Sequence, residues 1–294
     1  MAGNGIYRSV DGEQRVLECY DRLRSDLDAE FDRRWVDTRF GRTHLLVTGA
    51  RDAPPLLVFH GGNSVNPMTL EWLLPLAEDV RLYAPDTIGH PGYSAQTRIS
   101  PRDESYGRWA ADVLDGLGVE RAPMVGVSYG AGIVLRTAAH VPERITRAAL
   151  LNPSGLGTGS TRRMLLEILL PLLFYRLFPS RSRLESLLQP MFSEPIAGLD
   201  EATLDLMEAV FAEVKLERKL PKTATAAELA GYDAPTLLAV AEEDVFFPPD
   251  VVVPRAKRVI RNLETVVRLR GESHVPRPSA RRTLCEHVAE FLVD

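Results

Sequence analysis

Short apolar runs alternate along the chain with stretches of amphipathic helical pattern, and this alternation limits the folds open to the sequence. The runs are bounded by turn residues and cover residues 56–60, 80–84, 123–127, 148–152, 236–241 and 265–269. The helical patterns cover residues 68–76, 104–117, 129–140, 251–261 and 279–292. Apolar strands that alternate with helices are typical of a mostly parallel sheet covered on both faces. We therefore predict an α/β protein with a doubly wound, mostly parallel sheet.

Two segments depart from this alternation. A helical pattern near the start predicts that residues 1–30 form an N-terminal helical extension. Between residues 152 and 235 the sequence shows helical segments and no convincing strand, over a length too great for a connecting loop. We therefore predict that residues 31–155 and 230–294 form the sheet domain. Residues 156–229 are predicted to form a helical cap over the carboxyl ends of the strands, where such sheets bind ligands.

Composition and charge exclude several classes of function. The 294 residues include 35 basic and 40 acidic side chains, which give a formal net charge of −5. The sequence has no block of like charge, and this pattern argues against a nucleic-acid partner. The two cysteines, Cys19 and Cys285, lack metal-ligand spacing and favour reduced thiols in a cytoplasmic protein. The chain starts without a signal-peptide pattern, and its most apolar stretch, residues 164–178, is too short to span a bilayer. We expect a soluble, cytoplasmic protein.

The strongest chemical motif is Gly126-Val127-Ser128-Tyr129-Gly130, which lies between a buried strand and a helix rich in small residues. A serine at a sharp strand-to-helix turn is held in a strained backbone conformation, and the flanking glycines remove side chains that would clash. Such a turn exposes the hydroxyl next to a helix N-terminus, whose dipole favours developing negative charge. Ser128 is therefore the candidate nucleophile. The alternative is a glycine-rich turn that serves only packing.

From about residue 34 onward the chain resembles the α/β-hydrolase family, whose members carry a histidine-glycine motif, a serine elbow, and then an acid and a histidine. The early motif here is His60-Gly61-Gly62-Asn63. The resemblance implies that the backbone N–H groups of Gly62 and Tyr129 form an oxyanion hole. We expect His60, Asn63 and Phe246 to contact the substrate.

A serine hydroxyl needs a base to remove its proton. Of the six histidines, His274 lies just after the last strand, where the family's catalytic histidine falls. The acid that orients the imidazole is expected to be Asp244, which follows the strand at residues 236–241. Glu243 and Asp250 are acidic neighbours that leave this choice open. Asp86 is expected to be structural and to hold the loop beside the oxyanion hole.

The resemblance implies a serine hydrolase of the carboxylesterase type (EC 3.1.1) that acts on a small-molecule ester with a hydrophobic part. The alternatives are the same triad used for carbon–carbon, thioester or peracid chemistry, or a non-catalytic ligand-binding protein with this fold. The sequence contains no metal, nucleotide or flavin motif, so we expect no cofactor. The apolar run at residues 164–175 is expected to be a lid helix packed on its neighbours; contact with an acyl group or with lipid is the alternative.

Overall fold

The computed structural model describes residues 5–293, in which eight strands form a single sheet in the order β1-β2-β4-β3-β5-β6-β7-β8. β1 and β2 pair antiparallel, as do β2 and β4, and all the other neighbours are parallel. This arrangement confirms the predicted doubly wound fold. The strands are β1 (Asp32–Thr38), β2 (Gly41–Thr48), β3 (Pro55–Phe59), β4 (Arg81–Pro85), β5 (Ala122–Val127), β6 (Ile145–Leu151), β7 (Thr236–Ala241) and β8 (Leu263–Leu269).

Helices cover both faces of the sheet. One apolar core lies against α1, α2 and α10, and a second core on the other face lies against α3, α4 and α9. The central strands β3 and β5 are buried almost throughout, which explains their continuous apolar sequences. These helices are α1 (Val10–Asp26), α2 (Asn66–Leu73), α3 (Ser105–Leu117), α4 (Tyr129–His140), α9 (Pro249–Val259) and α10 (Pro278–Val293).

The segment between β6 and β7 is helical. Among the described residues it forms only isolated bridges and adds no strand to the sheet. A π-helical turn, Leu165–Leu169, joins the first two of its helices into one continuous stretch. The helices are α5 (Thr161–Met164), α6 (Leu170–Leu177), α7 (Arg181–Leu188) and α8 (Glu201–Glu213).

The N-terminal helix α1 packs on α8 of this inserted segment. The Arg22 guanidinium lies 2.6 Å from an Asp205 carboxylate oxygen, and the Lys215 amide donates to the Ile6 carbonyl at 2.8 Å. The chain start therefore connects the insertion to the sheet domain. Residues 1–4 of the predicted N-terminal extension lie outside the described residues. Within residues 5–293, every helix is too short or too polar to cross a membrane.

Candidate active site

The turn between β5 and α4 holds Ser128 in a backbone conformation that side chains rarely adopt, with φ 54° and ψ −112°. A Cβ atom on Gly126 would collide with the Ala131 backbone, and one on Gly130 would collide with the Phe59 carbonyl. The two glycines are thus required because α4 starts tight against β3 and β5. This geometry presents the Ser128 hydroxyl at the carboxyl end of the sheet, at the N-terminus of α4.

The structure brings Ser128, His274 and Asp244 into one hydrogen-bonded line. His274 Nε2 lies 2.9 Å from Ser128 Oγ, and His274 Nδ1 lies 2.7 Å from Asp244 Oδ2. Because a carboxylate can only accept, Nδ1 carries the proton and Nε2 is free to accept one from the serine hydroxyl. The three residues come from the ends of β5, β7 and β8, so the sheet itself sets their spacing.

Asp244 differs from its acidic neighbours in its exposure to solvent. Asp244 is 0% exposed, while Glu243 and Asp250 are exposed to solvent. The Oδ1 atom of Asp244 accepts from the backbone N–H groups of Phe246 (2.7 Å) and Phe247 (3.0 Å), which leaves Oδ2 for the imidazole. These bonds compensate the carboxylate for its burial away from solvent, as a group that orients a histidine requires.

Gly61 and Gly62 pack closely against Ser128 and Tyr129. A Cβ atom on Gly62 would come 3.0 Å from Tyr129 Cβ, and one on Gly61 would come 3.9 Å from Ser128 Cβ. Neither the Gly62 nor the Tyr129 N–H donates to a group within residues 5–293. Two unengaged donors that flank a serine can bind a negatively charged oxygen.

His60 does not reach the candidate site, which corrects the expectation that it contacts substrate. Its ring is fully buried, with Nδ1 donating to the Gly61 carbonyl and Nε2 accepting from the Thr87 N–H at 2.9 Å. Burial lowers the pKa of His60, so the ring stays neutral and keeps this pattern. Through these two hydrogen bonds the His60 side chain supports the turn His60-Gly61-Gly62-Asn63, which we call the glycine turn, on the side away from the cavity.

Asn63 and Phe246 both line the cavity above Ser128. The Asn63 side chain, however, is bonded to the backbone of Glu217, with its Nδ2 donating to the carbonyl (3.0 Å) and its Oδ1 accepting from the N–H (2.7 Å). It therefore ties the glycine turn to the segment after α8. The Phe246 ring packs edge-on against the His274 ring, with centroids 5.0 Å apart, and remains a candidate for substrate contact.

Asn152, which follows β6, is a site residue that the sequence patterns did not identify. Its side chain donates to the His274 carbonyl at 2.8 Å and accepts from the Ala241 N–H at 2.9 Å, and its φ is 44°. It thus links the loop that carries His274 to the end of β7, next to Asp244. The signal available in the sequence was a polar residue directly after a buried apolar strand.

Asp86 has the structural position expected of it. This fully buried carboxylate accepts hydrogen bonds from the Tyr20 hydroxyl (2.9 Å), the Asn66 amide (2.7 Å), the His44 ring (2.8 Å) and the Tyr93 N–H (2.8 Å). It joins α1, α2 and β2 to the loop after β4.

A cavity of about 780 Å³ opens above the serine between the sheet domain and the inserted helices. Its floor includes Ser128, His274 and the glycine turn, and its walls are largely apolar. The apolar side chains come from several helices and loops and include Met68, Trp72, Ile168, Leu172, Met191, Phe192, Met207, Phe211, Leu216 and Phe247. No cluster of three or more metal-ligating side chains occurs in the described part of the chain.

Comparison with known proteins supports this architecture. Residues 54–178 match the family model described as the alpha/beta hydrolase fold. Carboxylesterase YbfK of Bacillus subtilis (strain 168) is 31% identical over 148 residues, which are 50% of each chain. The 2-hydroxymuconate semialdehyde hydrolase of Pseudomonas sp. (strain CF600) is 38% identical over 123 residues, 39% of this chain and 41% of that protein. The chain thus matches half the length of these curated relatives or less.

The crystal structure of naproxen esterase (carboxylesterase NP) from Bacillus subtilis superposes with a TM-score of 0.82 at 24% identity. The superposition covers 96% of this chain and 99% of that one, and so includes the inserted helices. The likeness shows a shared fold over nearly the whole molecule. Together with the matched family model over residues 54–178 and the strand order, it shows that this chain has the α/β-hydrolase fold.

Proposed function

We propose that this chain is a carboxylesterase-type serine hydrolase (EC 3.1.1 type) that uses Ser128, His274 and Asp244 as a catalytic triad. The observation that carries the proposal is the hydrogen-bonded line from Ser128 Oγ through the His274 ring to the buried Asp244. The matched carboxylesterase of Bacillus subtilis adds support from a relative.

In the first half of the proposed reaction, Ser128 Oγ attacks the ester carbonyl carbon while His274 Nε2 takes its proton. Asp244 keeps the ring oriented and stabilises the imidazolium that forms. The N–H groups of Gly62 and Tyr129 bind the carbonyl oxygen as it becomes negative. Collapse of this intermediate breaks the ester bond, and His274 returns the proton to the leaving alcohol, so that an acyl group remains on Ser128.

In the second half, water takes the place of the alcohol. His274 removes a proton from water, and the hydroxide attacks the acyl carbon. The proton then passes to Ser128 Oγ as the carboxylic acid leaves. The net change is ester plus water to acid plus alcohol, and the chain's own residues supply every proton transfer.

The cavity favours an ester with an apolar acyl or alcohol part. Its wall is built mainly from leucine, methionine and aromatic side chains. Its volume of about 780 Å³ lies within the range of pockets that bind small organic molecules. Phe246, which lies against the His274 ring, would contact the group next to the scissile bond.

The test is hydrolysis of p-nitrophenyl butyrate by the unaltered chain and by three variants. We expect Ser128→Ala and His274→Gln to lower kcat by about 10⁴-fold or more, because nucleophile and base act as a unit. Asp244→Asn is expected to lower kcat by about 10⁴-fold, because it changes the imidazole tautomer.

Matched controls are Ser186→Ala, His287→Gln and Asp250→Asn, which change the same residue types on the exposed surface. These controls are expected to retain full activity. Ester turnover that persists in Ser128→Ala would refute the proposed nucleophile.

Hydrolysis of a carbon–carbon bond is the second candidate, because a relative that is 38% identical carries the name 2-hydroxymuconate semialdehyde hydrolase. The same triad would then act on a ketone carbonyl. Turnover of a vinylogous diketone with negligible turnover of p-nitrophenyl esters would favour this candidate.

We also propose a cytoplasmic location. Cys19 and Cys285 are both free thiols, and burial raises the pKa of Cys285 to about 11, so this thiol stays protonated and unreactive. Free thiols are typical of reducing compartments.

A further inference from the structure

The helical stretch at residues 165–178 exposes a continuous set of large apolar side chains. The sequence favoured a lid helix packed on its neighbours, but of the residues in α6 only Tyr175 is buried. Most large apolar side chains that the described chain exposes belong to this stretch or to the segment after α8, and each of them is between 38% and 59% exposed. We call them the cap patch: Leu165, Leu166, Leu169, Leu173, Phe174, Leu177, Phe178 and Leu220. A patch of this kind on a soluble chain marks an interaction surface.

Cationic side chains flank the cap patch along the chain, although the whole chain carries a net charge of −5. Arg162 comes just before it, Arg176 lies within it, and Arg218 and Lys219 precede Leu220. The nearest acidic groups along the chain are already engaged, since Glu167 pairs with Arg163 and Glu217 pairs with Arg98. Apolar side chains bordered by unpaired cations are complementary to an anionic lipid surface.

The cap patch is continuous with the cavity above Ser128. Leu169, Leu173 and Leu220 are exposed and also line that cavity, together with Arg176 and Arg218. A second copy of the chain on this face would cover the cavity entrance. A lipid surface would instead meet the entrance with the apolar molecules that the cavity accommodates, which favours lipid as the occupant.

We propose that the cap patch docks the protein on anionic lipid surfaces and draws apolar esters from them into the cavity. The docking step is independent of catalysis, whereas the supply of esters rests on the proposed hydrolase function. Leu169 and Leu173, at the cavity entrance, contact the acyl chains of the lipids. The outer apolar side chains insert among the lipids; they are Leu166, Phe174, Leu177 and Phe178. The arginine side chains contact the lipid headgroups.

The docking test is co-sedimentation of the Ser128→Ala protein with vesicles of phosphatidylcholine, with or without phosphatidylglycerol. The inactive variant separates docking from hydrolysis. We expect binding to the anionic vesicles that weakens as salt is raised. Phe174→Ser and Leu177→Ser, which lie outside the cavity lining, are each expected to reduce binding about tenfold.

The charge test uses Arg162→Gln and Lys219→Gln, which also lie outside the cavity lining. Each is expected to reduce binding to anionic vesicles roughly fivefold. The matched control is Val10→Ser, which removes an exposed apolar side chain on α1 and is expected to leave binding unchanged.

Two results would overturn the docking proposal. One is vesicle binding that is absent, or unaffected by Phe174→Ser and Leu177→Ser. The other is a dimer in sedimentation velocity that the same two substitutions dissociate, which would assign the cap patch to a second copy. If docking holds but p-nitrophenyl butyrate is not hydrolysed by the unaltered chain, the hydrolase proposal fails alone.

Discussion

At the scale of single residues, Asn152 connects the loop that carries His274 to the end of β7, just before Asp244. Its left-handed φ of 44° suits asparagine better than most side chains, and its amide makes two buried hydrogen bonds. If either bond is lost, a buried backbone group is left without a partner. We therefore regard Asn152 as a positioning residue that acts through His274.

Asn152→Gly tests this role, because glycine adopts the same φ but lacks the amide. We expect it to lower the free energy of unfolding by about 1–3 kcal/mol and to lower kcat at least tenfold with little change in KM. Urea unfolding and ester kinetics measure the two effects. A variant that loses stability but retains kcat would make the residue merely structural.

The sequence could predict a site residue only where neighbouring residues or a family motif indicated its role. Ser128 followed from its flanking glycines. His274 followed from its place after the last strand, where the resemblance to the α/β-hydrolase family implies the catalytic histidine. The position of His60 could not be inferred, because whether a side chain turns toward a cavity or behind a loop depends on distant partners, here the Thr87 backbone. The link from Asn63 to Glu217 likewise joins residues 154 positions apart.

At the scale of elements, helix α4 is joined to the segment that returns the chain to β7. Arg136 of α4 is 0% exposed and lies 3.0 Å from the Glu228 carboxylate, which Lys222 and Thr225 also contact. Burial alone would raise the pKa of Glu228, but hydrogen bonds from Arg136, Lys222 and Thr225 lower the pKa to about 2. The folded state therefore favours the charged form of the Glu228 carboxylate more than the unfolded state does.

This lowered pKa predicts how stability depends on pH. The ionised Glu228 stabilises the fold above pH 4.5, its ordinary pKa, and the contribution is lost as the pH falls toward about 2. Glu228→Gln should therefore lower the free energy of unfolding by about 2–3 kcal/mol near neutral pH and by much less at pH about 3. Urea unfolding at both pH values measures the difference.

The control for this prediction is Glu286→Gln on the exposed surface of α10. We expect its stability to follow that of the unaltered chain at both pH values. A loss in Glu228→Gln that is equal at the two pH values would contradict the charge-based account.

The elements themselves were largely predictable. Strands such as β7 and helices such as α4 have the predicted bounds, because a buried apolar strand or a helix that starts at a glycine turn is encoded locally. The exposure of residues 165–178 was not predictable, since an apolar stripe is the same in sequence whether a neighbour covers it or not.

At the scale of the whole molecule, the inserted helices are attached unequally to the rest. Helix α8 buries Leu206 and Ala209 and packs on α1, while α6 buries only Tyr175. The domain limits at residues 156 and 229 remain a prediction. From this unequal attachment we predict that the insertion divides into a fixed part and a looser part.

Hydrogen exchange measured by mass spectrometry tests that division. We expect backbone amides of residues 165–177 to exchange at least tenfold faster than those of residues 201–213, because fewer buried contacts oppose local opening. Equal protection of the two segments would show that the insertion is one rigid unit.

The central claim is that Ser128 is a nucleophile activated by His274. The most direct measurement is reaction of the folded protein with a fluorophosphonate, followed by intact-mass analysis and peptide mapping. The account predicts a single adduct on the peptide that contains Ser128, formed much more slowly in His274→Gln. Folded protein that forms no adduct, or an adduct on any other residue, would contradict it.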